Sequence, residues 1–463
     1  MDKNRLNLLQ GPILPTLMRF AAPLMLTSLL TTLYTLTDLF WIGRLHSDAV
    51  AAVGIIGFLG WIGDAVATIG RTGISVMVAQ EYGRQSDPAK VVSTLSNGLQ
   101  LSALLAIACG LLGMFILNPF IRLFGLPESV NVLAMEYGKI ALIGIPFMMM
   151  HFAFSQAYQS LGNSRIPFYI NGAGLITNMI LDPILIFGVG SLHGMRIAGA
   201  ALATISAQIL VFLLFVLHAK NVEKEGIHAQ PLAIIGAAIH AIRPNRSTIR
   251  HMIQLGLPVF FLSLTFSGIS AVLQRMVSSF GAVAAAVATL GSQMESINWM
   301  TVEGFGAANT AMVAQNVGAG HTERVLKIMR MTIFLLTSLG TGVLLIFVLF
   351  GKSIFAAFIP NDAQAHVLGE TYLLIFGISQ PFISLETAAG SGFNGLGKTV
   401  PPALTSILLN LCRIPLGYLL MPRFGVYGIW IAMSATSIGK GLINVTWLRK
   451  TTQPMRRALA QKS

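Results

Sequence analysis

The stretch VMVAQEYG at residues 76–83 returns as AMVAQNVG at residues 311–318, 235 positions later. A second stretch, LGNSRIP at residues 161–167, resembles LGKTVPP at residues 396–402 with the same separation. Asn178 lies five residues before Pro183, and Asn410 lies five residues before Pro415. One half of the chain is therefore a copy of the other, an organisation typical of membrane proteins built from two repeats.

Composition places the chain in a membrane. Apolar residues make up 54% of its 463 positions and charged residues only 10%, whereas a soluble globular domain carries about 25% charged residues. A helix needs about 20 apolar residues to cross the hydrocarbon layer, so the length leaves room for about twelve crossings. We predict an all-α polytopic membrane protein with twelve transmembrane helices in two pseudo-symmetric lobes of six.

The net charge of +13 follows membrane topology rather than nucleic-acid binding. With both termini in the cytoplasm, most Lys and Arg residues fall in inside segments. The outside loops hold only five basic residues, which are Arg44, Arg122, Arg196, Lys352 and Arg423. This asymmetry is the one that the positive-inside rule describes. We therefore expect a multi-pass plasma-membrane protein (inner membrane in a Gram-negative cell) with both termini cytoplasmic, monomeric, and with no nucleic-acid partner.

Twelve apolar segments separate into two sets of six around one long polar connection. The predicted spans are 14–40, 50–79, 91–117, 131–159, 166–189 and 197–218, then 251–278, 283–314, 326–350, 366–394, 400–421 and 426–448. The division is an N-terminal lobe at 1–219, a cytoplasmic linker at 220–250 with a short interfacial helix from Pro231 to Ile242, and a C-terminal lobe with a basic tail at 251–463. Six spans is an even number, so both halves enter the membrane in the same orientation.

Acidic side chains inside the spans need a reason, because a carboxylate at membrane depth costs about 2.5–3.5 kcal/mol on insertion scales. Asp38 is the strongest candidate, since Thr31, Tyr34 and Thr35 share its helical face. The acids that fall in predicted spans are Asp38, Asp64, Glu136, Asp182, Glu295, Glu303 and Glu386.

Asp182 is the second candidate. Asn178 precedes it by one turn, and Pro183 removes a backbone donor and frees a carbonyl nearby. Thr204, in the sixth span, adds a hydroxyl. Carboxylates, an amide oxygen and a hydroxyl suit a hard cation such as Na⁺. The same group suits a proton, because protonation removes the cost of a charge at membrane depth.

The repeat serves as an internal control for these acids. At the matching offsets, Asp38 falls on Val272 or Leu273, and Asp182 falls on Ile414. The second half builds the same helices without the two acids, so the fold does not require them. This comparison favours a functional role over a purely structural one.

The second half carries acids of its own. Glu295, Trp299 and Glu303 fall on one face of the eighth span, and Glu386 lies in the tenth. They form either a cation-binding wall that contacts substrate or structural pairs with Arg275, Arg413 or Lys440. Met149, within the Met148–Met150 run, either lines a cavity or is one of a run that faces lipid or packs in the interior. Asp64 and Arg71 lie two turns apart and read as a structural pair.

The TDLFWIG motif at residues 37–43, VAQEYG, VAQNVGAG, and the LGN and LGKT turns resemble the multidrug and toxic compound extrusion (MATE) family over nearly the whole chain. The resemblance implies a V-shaped fold of two six-helix lobes and export of drugs or metabolites in exchange for Na⁺ or H⁺. It is closest to the DinF-like (DNA-damage-inducible-F-like) branch. That branch has a first-span Asp and a fifth-span Asn and Asp, which correspond here to Asp38, Asn178 and Asp182. Thr204 corresponds to its sixth-span hydroxyl, with Ser206 as a rival.

We therefore predict a secondary active exporter of organic, cationic or amphipathic molecules that alternates access to the two sides. Its ion-coupling residues are expected to be Asp38, Asn178, Asp182, Thr204 and Tyr34. The first three would hold Na⁺ if sodium is the coupling ion, and no cofactor is expected. The candidate substrate residues are Glu295, Glu303, Glu386 and Met149. The alternatives are a flippase for lipid-linked oligosaccharide, which would need a larger cationic cavity in the first lobe, and a polytopic membrane enzyme. The usual catalytic and nucleotide-binding motifs are absent from the sequence.

Overall fold

The structure, a computed structural model, describes residues 7–45, 47–85, 87–125, 127–190, 193–227, 231–241, 243–358 and 363–461. Every regular element in these ranges is helical. The helices of the first half are α1 (Ile13–Gly43), α2 (Ser47–Gly73), α3 (Ala79–Gly83), α4 (Pro88–Arg122), α5 (Glu128–Ser160), α6 (Arg165–Phe187), α7 (Arg196–Glu223) and α8 (Ala233–His240). A π-helical turn, Ile74–Val78, joins α2 to α3 within one continuous rod.

The second half repeats this order with fewer interruptions. Its helices are α9 (Arg246–Ser278), α10 (Ala282–Gly318), α11 (Thr322–Phe358), α12 (Ala363–Gly395), α13 (Val400–Phe424), α14 (Val426–Thr451) and α15 (Gln453–Ala460). Equivalent helices also end alike. α6 stops before Gly188 (φ 83°) and α13 before Gly425 (φ 60°), where the left-handed backbone favours glycine.

The twelve predicted spans match the long helices, whose ends extend a few residues beyond most predicted limits. Within the described ranges, eleven helical segments are long and apolar enough to cross a membrane. α10 is the remaining long helix, and its polar residues, which include Glu295, Asn298 and Glu303, make it the least apolar of the set. The predicted all-α polytopic fold is confirmed.

The connection between the halves contains the expected short helix, α8. Ile234 and Ile235 are almost fully buried and pack in an apolar cluster with side chains of α4, α5 and α7. The backbone amide of Asn245 donates to Asn97 Oδ1 on α4 at 2.6 Å. The linker helix therefore packs against α4, α5 and α7 of the first half, and its position at the membrane interface stays a prediction.

The chain divides into two compact units that differ from the predicted lobes at their first helices. The first unit contains Leu26–Leu257, and the second contains Leu8–Met25 together with the chain from Pro258 onward. In the second unit, Asn316 Nδ2 donates to the Leu8 carbonyl at 3.0 Å, and the Arg324 guanidinium donates to the carbonyls of Gln10 and Gly11 at 3.0 and 2.8 Å. The start of α1 thus packs in the second unit and its remainder in the first.

Candidate functional site

Three helices of the first unit bring together the residues that the sequence singled out. α1 supplies Asp38, α6 supplies Asn178 and Asp182, and α7 supplies Thr204. The Thr204 hydroxyl donates to Asp38 Oδ2 at 3.5 Å, and Asn178 Nδ2 donates to Asp182 Oδ1 at 3.3 Å. The Asp38 side chain lies close to both Asp182 and Asn178, so the two carboxyl groups form one site.

Two tyrosines complete the surroundings of this acid pair. The Tyr34 hydroxyl donates to the backbone carbonyl of Thr204 at 3.5 Å, which links α1 to α7 one turn from Asp38. Tyr137, on α5, is 8% exposed and lies within electrostatic range of both acids. Tyr34 was predicted from the sequence, whereas Tyr137 was not, since a tyrosine in an apolar helix gives no signal that separates it from an ordinary packed aromatic.

The electrostatics of the site call for a positive charge. Asn178 and Asp182 are 0% exposed. Within the described part of the chain, no Lys, Arg or His forms an ion pair with either acid. Three buried oxygens there have no hydrogen-bond partner, namely Asp38 Oδ1, Asn178 Oδ1 and Asp182 Oδ2. Two carboxylates this close repel each other when both are charged, so a cation or a proton stabilises the pair.

The donor set fits a proton or a small hard cation better than a transition metal. The described residues contain no group of three or more His, Cys, Asp or Glu side chains suited to a metal ion. Carboxylate, amide and hydroxyl oxygens are ligands that hard cations accept, and the same carboxyl pair can share one proton. The rival hydroxyl, Ser206, is exposed on α7. The side chain of Thr35 lies outside the described residues.

The acids of the second unit are already engaged with neighbours. Tyr372 donates to Glu295 Oε1 at 2.5 Å. Glu386 pairs with Lys440 at 3.0 Å and also accepts from the Ser406 hydroxyl at 2.7 Å. For Glu386, this geometry favours a structural ion pair over a cation-binding wall. Of the three predicted partners, Arg275, Arg413 and Lys440, the one that pairs with it is Lys440.

The other substrate candidates differ in exposure. Glu303 is exposed on α10, one turn from Trp299, which is 54% exposed. Met149 is 1% exposed inside the apolar cluster of α2, α4 and α5, a position that favours packing over lining a cavity. Asp64 and Arg71 form a direct ion pair at 3.4 Å.

Comparison with known proteins agrees with the duplication. The sequence model of the MatE family matches residues 23–184 and again residues 258–419, one match in each half. The chain belongs to the MatE family. Its members are transporters, so the chain is a multi-pass membrane transporter and not an enzyme.

Curated relatives align over almost the whole chain. A protein of Shewanella oneidensis named FAD transporter is 24% identical, and the alignment covers 99% of each chain. A probable multidrug resistance protein, NorM, of Thermotoga maritima is 26% identical over 93% of this chain and 90% of that protein. The multidrug export protein MepA of Staphylococcus aureus is 24% identical over 93% of this chain and 92% of that protein.

Solved structures of the same fold also align end to end. A MATE transporter in complex with MaD5 has a TM-score of 0.87 at 19% identity and covers 99% of this chain and all of that chain. A MATE transporter in a bent conformation has a TM-score of 0.88 at 19% identity, with 98% of each chain covered. At this level of identity the likeness concerns the fold.

Proposed function

We propose that this transporter is a cation-coupled exporter in which Asp38 and Asp182 exchange H⁺ or Na⁺ for cargo. The supporting observation is the carboxyl pair of the partly buried Asp38 and the fully buried Asp182. With Asn178 it presents three buried oxygens without a hydrogen-bond partner, and it has no basic partner among the described residues. A proton or Na⁺ that enters from outside removes one of the two negative charges of the pair and with it their mutual repulsion. The resulting rearrangement of α1 against α6 and α7 moves cargo outward as access alternates between the two sides of the membrane.

The driving force is sufficient for useful export. One elementary charge that crosses 100 mV releases about 2.3 kcal/mol. A tenfold ion gradient adds about 1.4 kcal/mol. Together these terms support roughly a several-hundred-fold gradient of a neutral substrate for each ion exchanged. For a singly charged organic cation the electrical terms cancel, and the ion gradient alone supports a gradient of about tenfold.

The cargo is proposed to be organic and cationic or amphipathic, because two of the relatives described above are named multidrug proteins. The exposed neighbours Trp299 and Glu303 on α10 would suit such molecules, since an aromatic face and a carboxylate both attract organic cations. A second candidate is an anionic flavin nucleotide, because the relative that aligns over 99% of the chain is named FAD transporter. The oligosaccharide flippase is less favoured, because Arg71, one of the few in-span bases of the first half, already pairs with Asp64.

Everted vesicles test the proposal directly. A proton gradient and a sodium gradient are imposed separately, and transport of a panel of organic cations together with FAD is measured. Asp38→Asn and Asp182→Asn are expected to reach the membrane in normal amounts and to lose gradient-driven transport. The matched control is Glu136→Gln, which removes an exposed in-span acid and is expected to transport normally. Wild-type rates in the Asp38→Asn variant would overturn the proposal.

A further inference from the structure

The second unit contains a region that corresponds to the acid site of the first. Asn410 corresponds to Asn178 in the repeat, and Thr436 follows Asn410 at the same spacing as Thr204 follows Asn178. The next turn carries Gln208 in the first half and Lys440 in the second. The same backbone location therefore bears a neutral amide in one unit and an ammonium in the other.

Side chains around this second location are arranged with positive charges inside. Arg413 is 6% exposed, and its guanidinium donates to the hydroxyls of Thr436 at 3.0 Å and Ser437 at 2.8 Å. Lys440 is also 6% exposed, and its ammonium lies 3.0 Å from Glu386 Oε2. Thr204 contacts an acid in the first unit, whereas its counterpart Thr436 contacts a base.

Charge balance separates the two locations. Asp38 and Asp182 face each other without an ion-pair partner in the described ranges, as shown above. In the second unit, Glu386 and Glu295 are matched by Lys440 and Arg413, which lie within electrostatic range of one another across α10, α12, α13 and α14. The Asp38–Asp182 site is therefore stabilised by a cation from outside the protein, whereas Glu386 and Glu295 are stabilised by the protein's own Lys440 and Arg413.

The physical consequence concerns ion exchange. Breaking a buried ion pair by removing one partner is strongly unfavourable, because it leaves an uncompensated charge in a low-dielectric interior. Lys440 is covalently attached to α14 and holds one Glu386 oxygen, while the Ser406 hydroxyl holds the other. A mobile cation can bind Glu386 only by displacing that ammonium.

We propose that Lys440 is a tethered counter-ion that takes, at Glu386, the place of a mobile H⁺ or Na⁺, so that Glu386 does not exchange ions. The inference rests on the proposed function, which places ion exchange at Asp38 and Asp182. Because the Lys440 ammonium occupies Glu386, Lys440 also determines how many ions the protein binds.

The test uses dicyclohexylcarbodiimide, which modifies carboxyl groups that are protonated in an apolar environment. Purified full-length protein is labelled in the Asp38→Asn background, where the first site is disabled, and the labelled residues are identified by mass spectrometry. Glu386 is expected to remain unlabelled while Lys440 is present. Lys440→Gln, which installs the residue found at the equivalent position 208, is expected to increase Glu386 labelling at least tenfold. Added Na⁺ should protect it if the opened site binds sodium.

Controls keep the outcome interpretable. Lys440→Arg retains the charge and is expected to leave Glu386 unlabelled, and Lys440→Met serves as a second neutral variant if the glutamine variant does not purify as a monodisperse species. Strong labelling of Glu386 with Lys440 intact would overturn the proposal without any variant at position 440. Unchanged labelling in a folded neutral variant would overturn it as well. Failure of the proposed function would be detected separately, because the single variant Asp38→Asn would then transport at the wild-type rate.

Discussion

Asp38 and Asp182 are held differently. Asp182 is fully buried and receives the Asn178 amide one turn earlier on its own helix. Asp38 is only partly buried, and its hydroxyl partner, Thr204, comes from another helix at the long distance of 3.5 Å. We therefore expect Asp182 to be the fixed member of the pair, and Asp38 to be the member whose contacts change more easily if an ion binds.

Thr204→Val tests the contribution of this hydroxyl. The variant keeps the shape of the side chain but removes the hydrogen bond to Asp38. A hydrogen bond contributes about 0.5–1.5 kcal/mol, so we expect gradient-driven transport to fall by roughly 2–12-fold rather than to vanish. Initial rates in vesicles at matched protein levels provide the measurement.

Ser206→Ala is the matched control, because Ser206 lies on the same helix with an exposed side chain. It is expected to transport at the wild-type rate. A larger loss of transport in Ser206→Ala than in Thr204→Val would show that Ser206, and not Thr204, supplies the hydroxyl of the site.

At the residue scale, the sequence identified the acids because each interrupts an apolar run and lacks a counterpart in the repeat. It could not identify Tyr137, whose role depends on three other helices meeting around it. The choice between Arg275, Arg413 and Lys440 as the partner of Glu386 also required the structure, because it depends on how α12 packs against α14.

At the scale of elements, α6 and α7 must pack closely for Asp182 and Thr204 to meet Asp38. Gly174 on α6 permits this approach, since an added Cβ would overlap the Val211 side chain on α7. Gly174→Ala is expected to destabilise the protein by about 1–3 kcal/mol, which is the usual cost of overpacking. The measurement is the thermal unfolding midpoint of the detergent-purified protein.

Two further variants test whether this contact is the cause. Val211→Ala in the Gly174→Ala background removes the overlapping atoms and should recover part of the lost stability. Gly60→Ala, where an added Cβ meets nothing within 4 Å, should leave the midpoint unchanged. If all three variants melt alike, close packing of α6 and α7 does not depend on Gly174.

The lengths of the apolar runs predicted the helix positions. Two elements, α10 and α8, have features that run length alone could not predict. α10 has the length of a spanning helix but carries too many polar side chains to be as apolar as the other spans. α8 was predicted from its apolar stretch, but the sequence of a short apolar helix does not show whether the helix packs against protein or against lipid. Its burial against α4 and α7 depends on contacts that are distant in sequence.

At the scale of the whole molecule, duplication explains most of what the sequence could predict. Two copies of one six-helix pattern give the helix count, and the family match falls once in each copy. The division of α1 and α9 between the two units could not be predicted, because hydropathy is continuous along both helices.

The distribution of basic residues predicts cytoplasmic termini. A protease-sensitive tag placed after residue 463 should be cleaved in everted vesicles and protected in right-side-out vesicles. Cleavage in right-side-out vesicles that remain sealed would reverse the orientation and, with it, the direction of ion entry that the proposed export requires.

We propose that cargo binding releases a cation from the Asp38–Asp182 pair. The most direct test measures ion release from purified protein when a transported compound binds, with a pH electrode in weakly buffered solution and a sodium electrode in parallel. We expect release of H⁺ or Na⁺, about one ion for each protein molecule, that disappears in Asp38→Asn. Substrate binding that releases neither ion, or that releases the same amount from Asp38→Asn, would contradict it.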